Sequence, residues 1–475
     1  LFRNTNPKID ALIDKHFPLT SECAANSFDL IFFKKKQTMT NATNGTTDAG
    51  AAAKKNGSQR LDAATLVSGS LVPCGIATGN IAFEFLVALT GALWIARSIV
   101  ARKNPFPQAI KHPLIVPWIF WVAAIMASLV INGPGNKGWM HDIALVRYLF
   151  FVMAVIDLSR RRPVVKYLIY GLGAGALWGA LNTLFAYLLG FDFLGRDVGR
   201  YALKLKEASR ISAFSAYAST FFLSWWLFDK KINRNKKIII AGIAFVALSL
   251  LLQTHIRTSI LAAGSGMIFM VGYMGQKRSG FPVAILNVFL ACAVTLFFLF
   301  AGTFFFTAAS PDAQMDMHRL SSYEPNFNSL HARFEIWKVA SAMWLENPIF
   351  GVGISSFQDA YREVASIVFS GPNGPSLMPG DIMEQTHAHN LLLMLASGTG
   401  ILGVAAFAWL FTNAARFIFK NGDGYRVGLT AWPVVIFVMG LTGFNIYHSW
   451  YQALLAYLIV LIGCHGKGRE EQIVW

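Results

Sequence analysis

Apolar stretches recur along most of this chain, at residues 62–79, 81–97, 114–131, 143–157, 167–190, 211–228, 237–252, 258–275, 282–308, 388–413, 427–444 and 448–464. Crossing ~30 Å of hydrocarbon takes about 20 apolar residues as a helix. Inside lipid every backbone N–H and C=O has to find its partner within the chain, which favours helices for such segments. The series therefore predicts an all-α polytopic membrane protein with about 12 transmembrane helices. Composition agrees: 55% of the 475 residues are hydrophobic and 14% are charged, against about 45–50% and about 25% in soluble chains. A soluble multidomain fold is excluded. Lipid-facing and interfacial surface accounts for the 39 Phe and 13 Trp without a cofactor.

Residues 1–61 differ from the rest, with three consecutive lysines (Lys34, Lys35, Lys36) and a low-complexity run from Asn41 to Ser58. So polar a stretch cannot offset its ordering entropy by burial, and a disordered cytoplasmic N-terminal segment is expected. Residues 62–308 are then assigned helices 1–9, 309–386 a periplasmic loop region, 387–465 helices 10–12 and 466–475 a cytoplasmic tail. The 309–386 connection holds nine acids against four bases. Within 331–346, Phe334, Trp337, Ala340 and Trp344 recur at roughly helical spacing. They predict an amphipathic helix lying against the outer membrane face, followed by a Pro/Gly-rich loop at 371–380. A connection of that length in a compact protein is usually functional.

The net charge of +16 would point to nucleic acid in a soluble protein. In a membrane chain it is the expected excess of Lys and Arg on the cytoplasmic side, so no nucleic-acid partner is expected. Alternate connections divide unevenly: one set holds 20 Lys and Arg, and the opposite short connections hold seven. The richer side is taken as cytoplasmic. Both termini then lie inside and 309–386 outside, which in a bacterial inner membrane means the periplasm. The four cysteines (Cys23, Cys74, Cys292, Cys464) stand far apart with no CxxC, so neither a disulfide framework nor a zinc site is implied.

Against this bias, five of the seven outside bases share one connection: Arg196, Arg200, Lys204, Lys206 and Arg210. Positive charge on the translocated side calls for a compensating interaction. An anionic ligand supplies one, since the planar guanidinium fork suits phosphate; a solvated loop partly neutralised by Asp192, Asp197 and Glu207 is the structural alternative. Arg257, in a very short turn between two apolar spans, sits at a depth where charge is costly and commonly paired or functional. Arg147, near the outer end of the fourth span, either reaches an outward cavity or pairs with Asp142. His387 and His389 flank Ala388 where the long loop meets the tenth span. A neutral imidazole there can accept a proton from an attacking hydroxyl; no third ligand at a recognisable spacing argues for a metal.

Outward arginines, an outward histidine and a lipid-embedded body together suit transfer from a lipid-linked pyrophosphate sugar. Arg and Lys would neutralise the leaving pyrophosphate and His would activate the acceptor hydroxyl, with no cofactor required.

Three stretches make the chain resemble the O-antigen ligase and polymerase superfamily. His389 and Asn390, nine intervening residues, then Gly400 and Gly403 are similar to its His-Asn-x9-Gly-x-x-Gly pattern. Arg333 with Trp337, followed by Pro348, Gly351 and Gly353, is similar to its Arg-x3-Trp and Pro-x-x-Gly-x-Gly pattern. Arg210 with Phe214 opens the sixth span, and Arg257 follows the seventh. The resemblance implies a GT-C type, inverting, metal-independent glycosyltransferase of the inner membrane. It would move a glycan from undecaprenyl pyrophosphate to lipid A–core oligosaccharide on the periplasmic side. Carried over by position, His389 is the candidate base, preferred over His387 because the motif's Asn follows it, and Arg210, Arg257 and Arg333 are candidate pyrophosphate contacts. Arg147 and Arg200 join them as substrate-binding candidates on charge alone. Gly351 and Gly353 read as backbone turns, with no phosphate loop, since no strand precedes them. The alternatives are an O-antigen polymerase, a protein O-oligosaccharyltransferase, or, in a different class, a lipid-linked glycan transporter. Transport sites usually lie near the bilayer midplane, whereas these charges gather at one face.

Overall fold

The computed structural model of the protein describes residues 47–135, 138–193, 205–254, 256–279, 329–369, 385–420 and 424–464. Every regular element among them is a helix. The chain divides after Ala53 into two units; of the first, only Thr47–Ala53 are described, as the start of helix α1 (Thr47–Ser70). The second unit continues with α2 (Val72–Thr78), α3 (Asn80–Ala101), α4 (Phe106–Ile110), α5 (Ile115–Asn132), α6 (Trp139–Ile143), α7 (Val146–Ser159) and α8 (Val164–Leu189). Then come α9 (Leu205–Phe228), α10 (Arg234–Gln253), α11 (Arg257–Ser279), α12 (Ser329–Glu346), α13 (Phe357–Val368), α14 (Leu391–Lys420), α15 (Trp432–Thr442) and α16 (Ser449–Gly463).

Among the described residues, eight helical stretches are long and apolar enough to cross a membrane. They correspond to eight of the expected spans. The stretches at 143–157, 427–444 and 448–464 fold as shorter helices, and 282–308 lies outside the described residues. Two of the short helices form the centre of the bundle. In α16 every residue from Trp450 to Gly463 is buried, and in α7 every residue from Phe151 to Leu158. A helix apolar on all sides belongs inside a larger body, and at 15 residues α16 rises about 22 Å, short of the ~30 Å hydrocarbon core.

Within the polar stretch 1–61, α1 begins at Thr47. An Ala-rich start favours helix, and Asp62 ties the helix down by accepting Arg97 Nε at 3.2 Å and Arg161 Nη2 at 3.4 Å. Arg161 also donates to Asp157 at 2.9 Å, and Asp157 accepts Trp94 Nε1 at 2.9 Å. This network clamps the ends of α3 and α7, and His112 reaches the carbonyl of Gly463 at 3.1 Å at that same end of the bundle. The opposite end carries the starts of α3, α7, α9, α11, α14 and α16.

A helix is present over the expected 331–346 as α12, but its buried side is Ile336, Val339, Ala340 and Met343, with Phe334 of the expected apolar stripe exposed; α13 follows it. The loop expected at 371–380 lies outside the described residues.

Candidate active site

The glycines of the two motifs that follow α12 build the scaffold. Gly400 interrupts α14 with φ +65° and ψ −166°. The backbone groups freed by that break are taken up by the segment after α12. Val352 N–H donates to Ser397 O at 2.7 Å, Gly353 N–H to Gly398 O at 3.1 Å, and Ile401 N–H to Pro348 O at 2.9 Å. Gly351 and Gly353 adopt φ +66° and +92°, the left-handed turns that let this segment run flat against the helix. Ser128 and Asn132 of α5 brace the junction by donating to Gly398 O at 3.1 Å and Gly351 O at 3.0 Å. The two motifs are thus one structural joint, which fixes α12 against the start of α14.

At that start, Asn390 has a local task. Its Oδ1 accepts the N–H groups of Leu392 and Leu393 at 3.0 and 3.2 Å, capping α14. His389, just before the cap, has φ +51°, a left-handed conformation costly for a residue with a Cβ. Such strain is found where a side chain must be held in one direction. The imidazole Nε2 stands 3.2 Å from Gln385 Oε1, and the His387 ring lies over it with centroids 4.0 Å apart. His448, from the connection between α15 and α16, adds a third imidazole with its centroid 5.7 Å from that of His387.

Arg333 of α12 approaches from the other side. A Cβ added to Gly443 would stand 3.7 Å from Arg333 Nη2 and 3.8 Å from His389 Nδ1, so both side chains border the same backbone position. Burial first, and the Arg333 charge second, push the His389 pKa down to about 4, with a Gly443 backbone hydrogen bond opposing them. The imidazole is therefore neutral at neutral pH, as a proton acceptor must be.

The other arginines join through α3. Arg210, buried in the second turn of α9 rather than just ahead of the helix, donates to Asn80 Oδ1 at 3.4 Å. One turn along α3, Glu84 Oε1 lies 3.2 Å from Arg147 Nη2. Of the two expectations for Arg147, pairing with Asp142 is thereby corrected. Asp142 is fully buried, taken by His141 Nδ1 at 2.8 Å and Ser355 Oγ at 3.0 Å. Arg147 also donates to Tyr148 OH at 3.2 Å, and Tyr148 OH to Ser449 O at 2.8 Å, next to His448. Arg257 is exposed at the first turn of α11, whose Ser259 meets Ser212 of α9, Oγ to Oγ, at 2.9 Å. Arg200 lies outside the described residues.

Two groups of contacts thus share this end: Arg210 with Asn80, one turn from the Glu84–Arg147–Tyr148 series that ends on the Ser449 carbonyl, and the three imidazoles bordered by Arg333, with Arg257 on the helix beside that of Arg210. Helix amino termini alternate at this end with the carboxyl termini of α2, α5, α10 and α15, so their partial charges oppose one another and the preference for an anion rests on the arginines. Among the described residues, neither Arg257 nor Arg333 has an ion-pair partner. No three metal-ligating side chains stand together among them.

Sequence reasoning missed Glu84, Gln385 and His448. Glu84 left a signal, an acid inside an apolar span; the other two left none that separates them from ordinary loop residues.

A search of curated proteins gave no match. Residues 241–408 match the family model described as O-antigen ligase. The matched stretch holds Arg257, Arg333, His387, His389 and both halves of the glycine joint, and over these residues the chain is similar to the O-antigen ligase family.

Proposed function

We propose that this protein is an inverting, metal-independent glycosyltransferase of the bacterial inner membrane. It transfers O-antigen glycan from undecaprenyl pyrophosphate to lipid A–core oligosaccharide at the periplasmic face. The family match supports glycosyl transfer of the O-antigen ligase or polymerase type. The observation that carries the finer reading is the neutral His389 beside the Arg333 guanidinium, at an end of the bundle that collects arginines. His389 accepts the proton of the acceptor hydroxyl. Arg333 and Arg257, with no ion pair among the described residues, hold the pyrophosphate as it takes up charge, with Arg210 behind them. Arg147 is neutralised by Glu84 and shapes the edge of the site. The central helices are too short for the hydrocarbon core, which favours a recess where a lipid-borne pyrophosphate and a second lipid-borne acceptor meet.

The test mixes purified protein with an undecaprenyl-pyrophosphate glycan and lipid A–core in the presence of chelator, followed by gel shift of the conjugate. Conjugate formation is the expected result. Elongation of the donor would replace the ligase with a polymerase, and binding without reaction would favour a transporter.

A further inference from the structure

The His389 ring is enclosed on three sides. Its backbone is held at φ +51°, and the His387 ring covers it at a centroid distance of 4.0 Å with planes 42° apart. Nδ1 faces the Gly443 backbone. With the Nδ1 proton directed there, the lone pair is on Nε2, and Nε2 is the edge a hydroxyl must reach. Gln385 already stands at that edge: its amide oxygen lies 3.2 Å from Nε2, and with the lone pair on Nε2 the amide turns over to present its N–H there. A side-chain amide has a donor and an acceptor on one plane, so it matches Nε2 in either tautomer and equally matches an incoming hydroxyl. In the familiar acid–base dyads an orienting residue holds the far nitrogen; here the amide is on the near one.

We propose that Gln385 is the positioning residue for the acceptor: its amide marks the place at His389 Nε2 that the acceptor hydroxyl takes, then holds that hydroxyl by a hydrogen bond. The proposal rests on the transfer reading above. In the step, the acceptor O–H bond breaks and its proton goes to Nε2. The oxygen's electron pair forms the bond to the anomeric carbon, while the bond from that carbon to the phosphate oxygen breaks and its pair leaves with the pyrophosphate. His389 then gives its proton to water. Gln385 aims the oxygen and exchanges no proton. Among the described residues, the charged and titratable groups around the ring are Arg333 from α12, His387 beside it in the chain and His448 from the connection ahead of α16. Gln385 adds no charge to them, whereas a carboxylate in its place would.

The experiment uses the full chain in vesicles with undecaprenyl-pyrophosphate glycan and lipid A–core, measuring initial rates against each substrate over pH. Gln385→Ala is expected to raise the acceptor KM by about tenfold and leave the donor KM within about twofold. Gln385→Glu pairs with the protonated imidazole, so the acid limb of the rate profile moves up by about one pH unit or more. Gln385→Asn keeps the amide on a shorter stem and is expected to keep the wild-type acid limb with an intermediate acceptor KM. An unchanged acceptor KM in Gln385→Ala together with an unmoved limb in Gln385→Glu would overturn the proposal. So would a uniform loss of kcat with neither KM nor limb altered, the mark of a purely structural residue. Failure of the transfer reading itself looks different: the wild type forms no conjugate, or His389→Ala transfers as well as wild type, and the proposal falls with it.

Discussion

Arg333 and His389 border the same backbone position, Gly443, with Nη2 and Nδ1 3.7 and 3.8 Å from where a Cβ would stand. The cation comes from the second turn of α12 and the imidazole from the chain just ahead of α14, and the glycine joint between those helices brings them together. Gly443 itself has φ +142°, so a side chain there would be strained as well as placed between the two groups.

The pair has a consequence in pH. His389 titrates at about 4 instead of near 6.5, through burial and Arg333. Transfer is expected to fall only as pH drops through the folded value, since protonation removes the accepting lone pair. Arg333→Gln deletes one lowering cause, so its acid limb is expected at higher pH, measured as kcat/KM against pH. For stability, the unfolded chain takes up the proton first. The native state therefore loses stability as pH falls from about 6.5 towards 4, and His389 withdraws none above that window.

Replacing the base tests the assignment directly. His389→Ala is expected to lower transfer by about a hundredfold or more while the protein remains inserted, and His387→Ala to lower it less. Equal transfer by His389→Ala and wild type in the conjugate assay would remove His389 from the role.

Glu84 and Arg147 form a pair about a quarter to a third exposed, so solvent screening limits their coupling to about 1 kcal/mol or less. A double-mutant cycle of Glu84→Gln and Arg147→Gln, read by thermal unfolding in detergent, is expected to give a favourable coupling of that size. Zero coupling would mean that the pair does not hold Arg147.

Two glycine substitutions should act in opposite directions. Gly400→Ala places a Cβ against the Ile349 carbonyl at a positive φ and is expected to destabilise by ~2–3 kcal/mol. Gly242→Ala in α10 meets nothing within 4 Å and is expected to be neutral or to stabilise by up to ~1 kcal/mol. Thermal denaturation of the two variants beside wild type checks both.

Much of the fold was legible because the length and polarity of a helix are local properties. The apolar runs at 81–97, 114–131 and 258–275 became α3, α5 and α11 nearly residue for residue. Runs at 143–157 and 448–464 were legible as helices but not as the buried centre, because a central helix and a lipid-facing one are equally apolar. Asp62, in the polar part of α1, meets Arg97 and Arg161 across the bundle, a pairing that spacing along the chain does not announce.

At the candidate site, residue types and position alone singled out His387, His389, Arg147, Arg210 and Arg257, since charge and imidazole stand out against an apolar chain, and Arg333 entered through the family resemblance. Their order along the sequence also implied that they share one end. Packing decided the rest. It gave Arg147 to Glu84 rather than to Asp142, made Asn390 a helix cap, joined the two glycine motifs into one support, and set Gln385 against the nitrogen of His389. Each of these depends on how helices rotate and cross, a property of side-chain fit between distant segments. Composition and spacing do not encode that fit where a reader of one chain can see it.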